Sequence, residues 1–220
     1  MPVFPFMRRA ALGTLLLLMV GVAAAEPADD VNTNAQLLAG ARQGDLALVD
    51  RMLAHGGSPE SRNRLGKTAL LLAAEKGRLD MVEHLIAAGA KVDAASLEKV
   101  TPLMAACYGG HAAVVQRLLA AGAKTDPLDR MNKPAIVYAA GQGHTDSIAL
   151  LLDAGVDVNR AYEHGLTALM WAAGQGNLTA VQLLLKRGAD TTLRDDRNLT
   201  AAEIARQTGQ AEVAKLLAPS

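Results

Sequence analysis

Residues 101–123 read TPLMAACYGGHAAVVQRLLAAGA, and the same spacing recurs along most of the 220-residue chain. Thr68, Thr101, Pro134, Thr167 and Thr200 share one register. Gly44, Gly77, Gly110, Gly143, Gly176 and Gly209 keep a constant interval of 33 residues. Gly56, Gly89, Gly122, Gly155 and Gly188 repeat that step twelve residues later. A fixed period of roughly 20–50 residues is the signature of a solenoid, in which each unit buries its apolar face only by stacking on its neighbours.

Each unit reads as two short helices. Thr as N-cap, Pro or Ala at the first helical position and Gly just past the end bound a helix of two turns. Inside it lies a small pair, Ala73-Ala74, Ala106-Cys107, Ala139-Ala140 or Ala172-Ala173, that permits close helix packing. A second helix follows. Its apolar residues (Leu79, Val82, Leu85 and Ile86; Val115, Leu118 and Leu119; Ile148, Leu151 and Leu152; Val181, Leu184 and Leu185) keep the i, i+3, i+4 spacing of one helical face. A polar return of about a dozen residues, rich in Asp, Asn, Arg and Gly, predicts a β-hairpin finger. Lys99 stands where Gly66, Asn132, Gly165 and Asn198 serve the finger turn. A lysine is poorly suited to positive φ, so distortion is expected in that finger.

Thr101-Pro102-Leu103 with Gly110-His111 and Leu118-Leu119-Ala120-Ala121-Gly122-Ala123 resembles an ankyrin repeat, as do Gly165-Leu166-Thr167-Ala168-Leu169 and Gly188-Ala189-Asp190. The resemblance covers residues 34–220 and implies an all-α repeat solenoid of paired antiparallel helices with β-hairpin fingers. Its units would span 34–62, 63–95, 96–128, 129–161, 162–194 and 195–220, the first and last acting as caps. The last unit puts Glu203, Arg206 and Lys215 where inner units carry apolar or small residues. Ankyrin repeats often place His after Thr-Pro-Leu; here Leu71, Met104, Val137, Met170 and Glu203 hold that position. Apolar packing is expected in its place.

The N-terminus carries a different signal. Arg8-Arg9 precede the apolar run Ala10 to Ala25, no acid occurs before Glu26, and Ala23-Ala24-Ala25 supplies small residues before a cleavage point. That pattern predicts a signal peptide over 1–25, cut between Ala25 and Glu26, with 26–33 a flexible leader. The rival is a retained anchor, but sixteen apolar residues fall short of the roughly 20 that span a bilayer. Export by the general secretory route to the bacterial periplasm is therefore expected.

Charge and chemistry narrow the function. Removing residues 1–25 takes two of the 22 basic residues and none of the 22 acidic ones, leaving a net charge of −2. Nothing is clustered for nucleic acid or an anionic membrane. The single cysteine, Cys107, sits in a small-pair position and cannot form an intramolecular disulfide. His55, His84, His111, His144 and His164 show no metal-ligand spacing. His111 and His144 follow register glycines and are expected to tie down the loop between helices. No nucleophile or phosphate-loop motif occurs. We expect a non-enzymatic, monomeric scaffold without catalytic residues, metal or cofactor. The alternatives are an enzyme or small-ligand binder using a cavity under the fingers, and a general envelope-stability factor.

By the ankyrin resemblance, fingers and the exposed flank of the first helices line a concave face that binds a protein partner. Arg64, Lys67, Glu98, Arg130, Met131, Glu163, His164, Asp196 and Arg197 would come from fingers, together with Leu65, Leu97 and Lys133. Glu75, Lys76, Tyr108, Gln142 and Gln175 would come from helix flanks. Tyr108 is expected to be open to solvent. Tyr138 and Trp171 share the register of Leu72, Ala105 and Ile204, which favours partial burial; exposed edges would make them the natural hot spot.

Overall fold

The computed structural model describes residues 27–218, with side chains from Asn32. The predicted signal segment and its cleavage pair, Ala25 and Glu26, lie outside the described residues. Six helix pairs follow one another: α1 (Pro27–Gln43) with α2 (Leu46–Ala54), α3 (Ala69–Glu75) with α4 (Leu79–Ala87), and α5 (Pro102–Gly109) with α6 (Ala112–Ala120). Then come α7 (Ala135–Gln142) with α8 (Thr145–Asp153), α9 (Ala168–Gly174) with α10 (Leu178–Lys186), and α11 (Ala201–Gln207) with α12 (Ala211–Leu216). Odd-numbered helices stack in one row and even-numbered helices in a second, as a repeat solenoid requires. Among the described residues no helix is long and apolar enough to cross a membrane.

The register threonines start the first helices. The Oγ1 atoms of Thr68, Thr101, Thr167 and Thr200 accept from the backbone N–H three residues on, at 3.2–3.3 Å. The residue after Thr-x-Leu closes the cap in return. Met104 Sδ accepts from Thr101 N and Met170 Sδ from Thr167 N, both at 3.4 Å, and Glu203 Oε2 accepts from Thr200 N at 2.7 Å. Leu71, Met104, Val137 and Met170 are buried, so the apolar packing expected there is present. Ala73, Ala74, Ala106, Cys107, Ala139, Ala140, Ala172 and Ala173 are fully buried, which brings successive first helices close together. Leu85, Leu118, Leu151 and Leu184 form the matching seam of the second row, all inaccessible to solvent. Truncating one such leucine to Ala costs about 2–5 kcal/mol.

A histidine ladder joins the units. His111 and His144 reach back across the unit boundary rather than tying their own loop. His111 Nε2 pairs with Glu75 O at 3.2 Å and His144 Nε2 with Tyr108 O at 3.0 Å. Asn177 Nδ2 repeats the contact by donating to Ala140 O and Gly141 O at 3.0 and 2.9 Å. These side chains satisfy carbonyls left open at the end of the preceding unit's first helix. The close approach needs glycine beneath it: a Cβ on Gly110, whose φ is +70°, would lie 2.5 Å from His144 Nδ1.

Three expectations are corrected. Residues 27–33 are not a flexible leader, because α1 begins at Pro27. Proline suits the first helical turn. The fingers are not β-hairpins: among the described residues no strand forms. Each finger is a single closed turn (Asn63 N to Lys67 O at 3.0 Å, Ser96 N to Val100 O at 2.9 Å), and three of the four junctions between fingers carry one backbone bond, such as Leu97 N to Leu65 O at 3.0 Å. Two residues per side are too few to build a ladder.

Lys99 is the third. It adopts φ 59°, beside Asn132 at 51° and Asn198 at 64°, and its finger closes like its neighbours. The irregular finger is the fourth, where Glu163–Gly165 form a 3-10 turn and His164 joins Gly165 at positive φ. The reason lies at its first position. Asn63, Asp129 and Asp195 each accept from two N–H groups of their own turn, and Ser96 from one. Tyr162 takes that place in the fourth finger and offers no such acceptor.

Candidate functional site

Fingers and first helices line one face of the array, and three adjoining hollows occupy its centre. The largest of these, about 370 Å³, is walled by Leu65, Lys67, Leu71, Glu75, Leu97, Glu98, Val100, Met104, Tyr108 and Tyr138. A second, about 230 Å³, shares Tyr108 and Tyr138 with it and adds Lys133, Val137, Gln142, Trp171 and Gln175. A third of similar volume shares Lys133, Val137 and Trp171 with the second and is closed by Met131, Asn132, Tyr162, Glu163, His164 and Leu166. Shared walls make the three one continuous groove.

The groove is apolar where side chains have no reason to be. Leu65 is 61 % exposed, Leu97 59 %, Met131 59 % and Tyr108 55 %. A contiguous exposed apolar strip with a polar rim marks an interaction surface. Its aromatic centre is ordered. The rings of Tyr108 and Tyr138 meet edge to face, with centroids 5.8 Å apart and an interplanar angle of 86°. Lys133 Nζ lies 4.5 Å from the Trp171 ring centroid, a cation–π contact that also pins the ring. Tyr138 and Trp171 are half-buried and pack on the core with one edge in the groove.

Tyr138 ties this centre to the third finger. Its hydroxyl donates to Asp129 Oδ2, while Asp129 Oδ1 accepts from the N–H groups of Met131 and Lys133, both at 2.8 Å. Burial, followed by the neighbouring Asp129 carboxylate, pushes the Tyr138 hydroxyl above its ordinary pKa, so it remains a donor. Asp129 is buried, and its turn therefore fixes both Met131 and Lys133 over the groove.

The structure gathers some of the expected residues and scatters others. Lys67, Glu75, Glu98 and Tyr108 meet in the first hollow, Lys67 Nζ and Glu75 Oε2 pairing at 2.7 Å. Gln142, Gln175 and Trp171 meet in the second; Met131, Glu163, His164 and Trp171 meet in the third. Arg130 stands at the rim, its guanidinium 3.9 Å from Glu98 in a fully wetted pair. His164 stands 3.9 Å from Glu163 and 3.7 Å from Asp196 on the adjacent finger. Arg197 is spent on Asp195, donating from Nε and Nη2 at 2.8 and 2.6 Å. Lys76 caps α3 outside these hollows.

Arg64 lies elsewhere, in a separate hollow at the N-terminal end of the same face, with Arg42. Arg42 escaped the sequence reading, although subtracting 33 from Glu75 or 66 from Tyr108 lands on it. Tyr162 and Val100 escaped too, since an apolar finger residue carries no periodic signal of its own.

Groups able to do chemistry are few. Burial pushes the Cys107 thiol far above its ordinary pKa, which leaves it without thiolate character. Among the described residues no cluster of three or more His, Cys, Asp or Glu is placed to hold a metal ion. Stacked helix pairs with a structured concave groove define a binding solenoid. The family described as "Ankyrin repeats (3 copies)" matches residues 9–96, 35–129, 83–162 and 136–220. The chain belongs to the ankyrin-repeat family, whose members generally mediate protein–protein interaction and are typically non-enzymatic scaffolds. No curated protein matches the chain.

Proposed function

We propose that this protein is an exported, monomeric scaffold of the bacterial periplasm that holds one exported partner protein in its concave groove, so as to protect, position or inhibit it. One observation carries the proposal: Leu65, Leu97, Tyr108 and Met131 stand exposed along a single groove with Tyr138 and Trp171 at its floor. Aromatic anchors inside a polar rim are the usual source of interface affinity. Lys67, Lys133, Glu75, Glu98 and Glu163 give the rim mixed charge, which suits a protein surface better than a polyanion. The export half of the proposal rests on Arg8-Arg9, the apolar run to Ala25 and the following Glu26.

The test is affinity purification of the tagged full-length precursor from its native envelope, after in-cell crosslinking and mass spectrometry. One dominant protein crosslinked at Lys67 or Lys133 is the expected result. A diffuse set of proteins would instead support a general envelope-stability factor. Intact mass of the recovered chain should begin at Glu26, and retention of residues 1–25 would refute release into the periplasm.

A further inference from the structure

At the N-terminal end of the concave face, beyond the groove, lies a hollow of about 570 Å³ between α1 and the first finger. Its apolar floor is Ala35, Leu38 and Ala39 of α1 with Leu72 of α3. Arg42, Arg62 and Arg64 rim it, with Asn34, Ser61 and Asn63, and none of these lining residues is acidic. The adjoining first hollow differs, since Glu75 and Glu98 balance Lys67 there.

The three arginines are differently committed. Arg62 donates from Nη1 to Gly66 O at 2.8 Å and to Ala95 O at 2.5 Å, which fixes its guanidinium between the first two fingers. Arg42 and Arg64 are exposed, and among the described residues neither pairs with a carboxylate. Arg42 occupies the register of Tyr108, so the strip that is aromatic in the middle of the array turns cationic at this end. Guanidinium groups bind carboxylates bidentately, with both geometry and charge matched.

We infer that this hollow binds an extended acidic segment of the partner protein, seating one aliphatic side chain on Leu38 and Leu72 while flanking carboxylates pair with Arg42 and Arg64. The inference rests on the proposed protein-binding role of the concave face and extends it to a chemistry. Charge complementarity selects the carboxylates. The apolar floor selects a polypeptide over a nucleic acid, whose phosphate backbone brings no aliphatic group to cover it. Arg64 and Leu72 of the hollow are chain neighbours of Leu65 and Leu71 in the groove, so a segment lying here can lead on toward Leu65.

The test is fluorescence polarisation of the purified full chain with a labelled peptide, Gly-Asp-Glu-Leu-Glu-Asp-Gly, at low salt. Binding is expected, weakened about tenfold when the peptide is replaced by Gly-Asn-Gln-Leu-Gln-Asn-Gly, and by a similar factor in the double variant Arg42→Glu/Arg64→Glu. Both positions are exposed, and an unchanged circular dichroism melt verifies that the variant folds. Arg62 is left intact because it holds the fingers. No binding of the acidic peptide, equal binding of the amide peptide, indifference to the double variant, or equal competition by a twelve-nucleotide single-stranded DNA would each overturn the inference. Repeating the envelope crosslinking with the double variant separates the two proposals. A partner captured equally by the wild type and the double variant at Lys67 or Lys133, with no binding of the acidic peptide by the wild type, sinks this site and spares the scaffold reading.

Discussion

Lys99 offers a direct measurement of backbone strain. Its φ of 59° lies in the left-handed region, in the register where Gly66 and Gly165 sit at 71° and 72° and Asn132 and Asn198 at 51° and 64°. A residue other than glycine or asparagine costs about 1–2 kcal/mol there, because Cβ crowds the following carbonyl. The lysine side chain is exposed and makes no hydrogen bond or ion pair among the described residues, so replacing it removes nothing favourable. Lys99→Gly relieves the crowding but gives the unfolded chain more freedom, a penalty of about 0.5–1 kcal/mol. The net expectation is a gain of about 0.5–1 kcal/mol for Lys99→Gly and a similar gain for Lys99→Asn. Lys99→Val should lose about 1 kcal/mol, since a branched Cβ is worst placed at positive φ. Urea titrations followed by circular dichroism at matched protein concentration give these differences from midpoints at constant slope. At this chain length the gain corresponds to about 1–4 °C in Tm. If glycine and asparagine leave the midpoint unchanged while valine is tolerated, the finger is not left-handed at Lys99 and the correction to its expected distortion fails.

Ser147 is buried in α8 at a position where Met81, Val114, Ala180 and Val213 pack in the other units, and its hydroxyl has no hydrogen-bond partner among the described residues. Ser147→Ala should therefore stabilise the protein by about 1 kcal/mol in the same urea assay; a loss would show that the hydroxyl is satisfied. Tyr108→Ala should reduce capture of the crosslinked partner at least tenfold with a Tm change of only a few degrees, because the ring is 55 % exposed. A large drop in Tm would make it a core residue. Acid should act first on the last unit. Burial raises the Asp195 pKa, but the Leu199 N–H, the Arg197 guanidinium and the Arg197 N–H outweigh it and leave the carboxyl low; Thr200 and Arg194 hold Glu203 low as well. Both folded values lie below the unfolded ones, so their contribution is complete above an ordinary carboxylate pKa of about 4 and is lost as pH falls through the lower folded values. Protection factors of α11 and α12, taken from hydrogen exchange corrected for the intrinsic rate at each pH, should fall on acidification more steeply in the wild type than in Asp195→Asn/Glu203→Gln, and parallel slopes would contradict this.

The order and identity of the helices were legible because each rests on local chemistry repeated at a fixed step. Thr101 caps α5, Gly110 ends it, and Val115 and Leu118 face one way on α6 wherever the chain is cut. The period of 33 also settled that these units must stack, since no single pair buries its own apolar face. Finger geometry was less legible. Turn residues predicted a turn, but whether its arms pair as strands depends on their length and on the neighbouring finger, and at most one backbone bond per junction left them as turns. Lys99 shows the same limit, for stacking against the flanking fingers overrides its own preference.

The site divided along the same line. The ankyrin resemblance implied that fingers and helix flanks share a face with Tyr108 open on it, and the period carried that implication to each unit. Only the tertiary structure decided which of those residues meet. Tyr138 bonds to Asp129 within its own unit and Lys133 reaches Trp171 across a unit boundary, contacts that depend on side-chain rotamers rather than on register. Arg197 turns inward to Asp195, while Arg42 and Arg64, remote in sequence and of the same charge, come to rim one hollow. A repeat fixes where each Cβ stands, but the direction a long side chain takes is set by the charges and packing around it, and those exist only once the units have stacked.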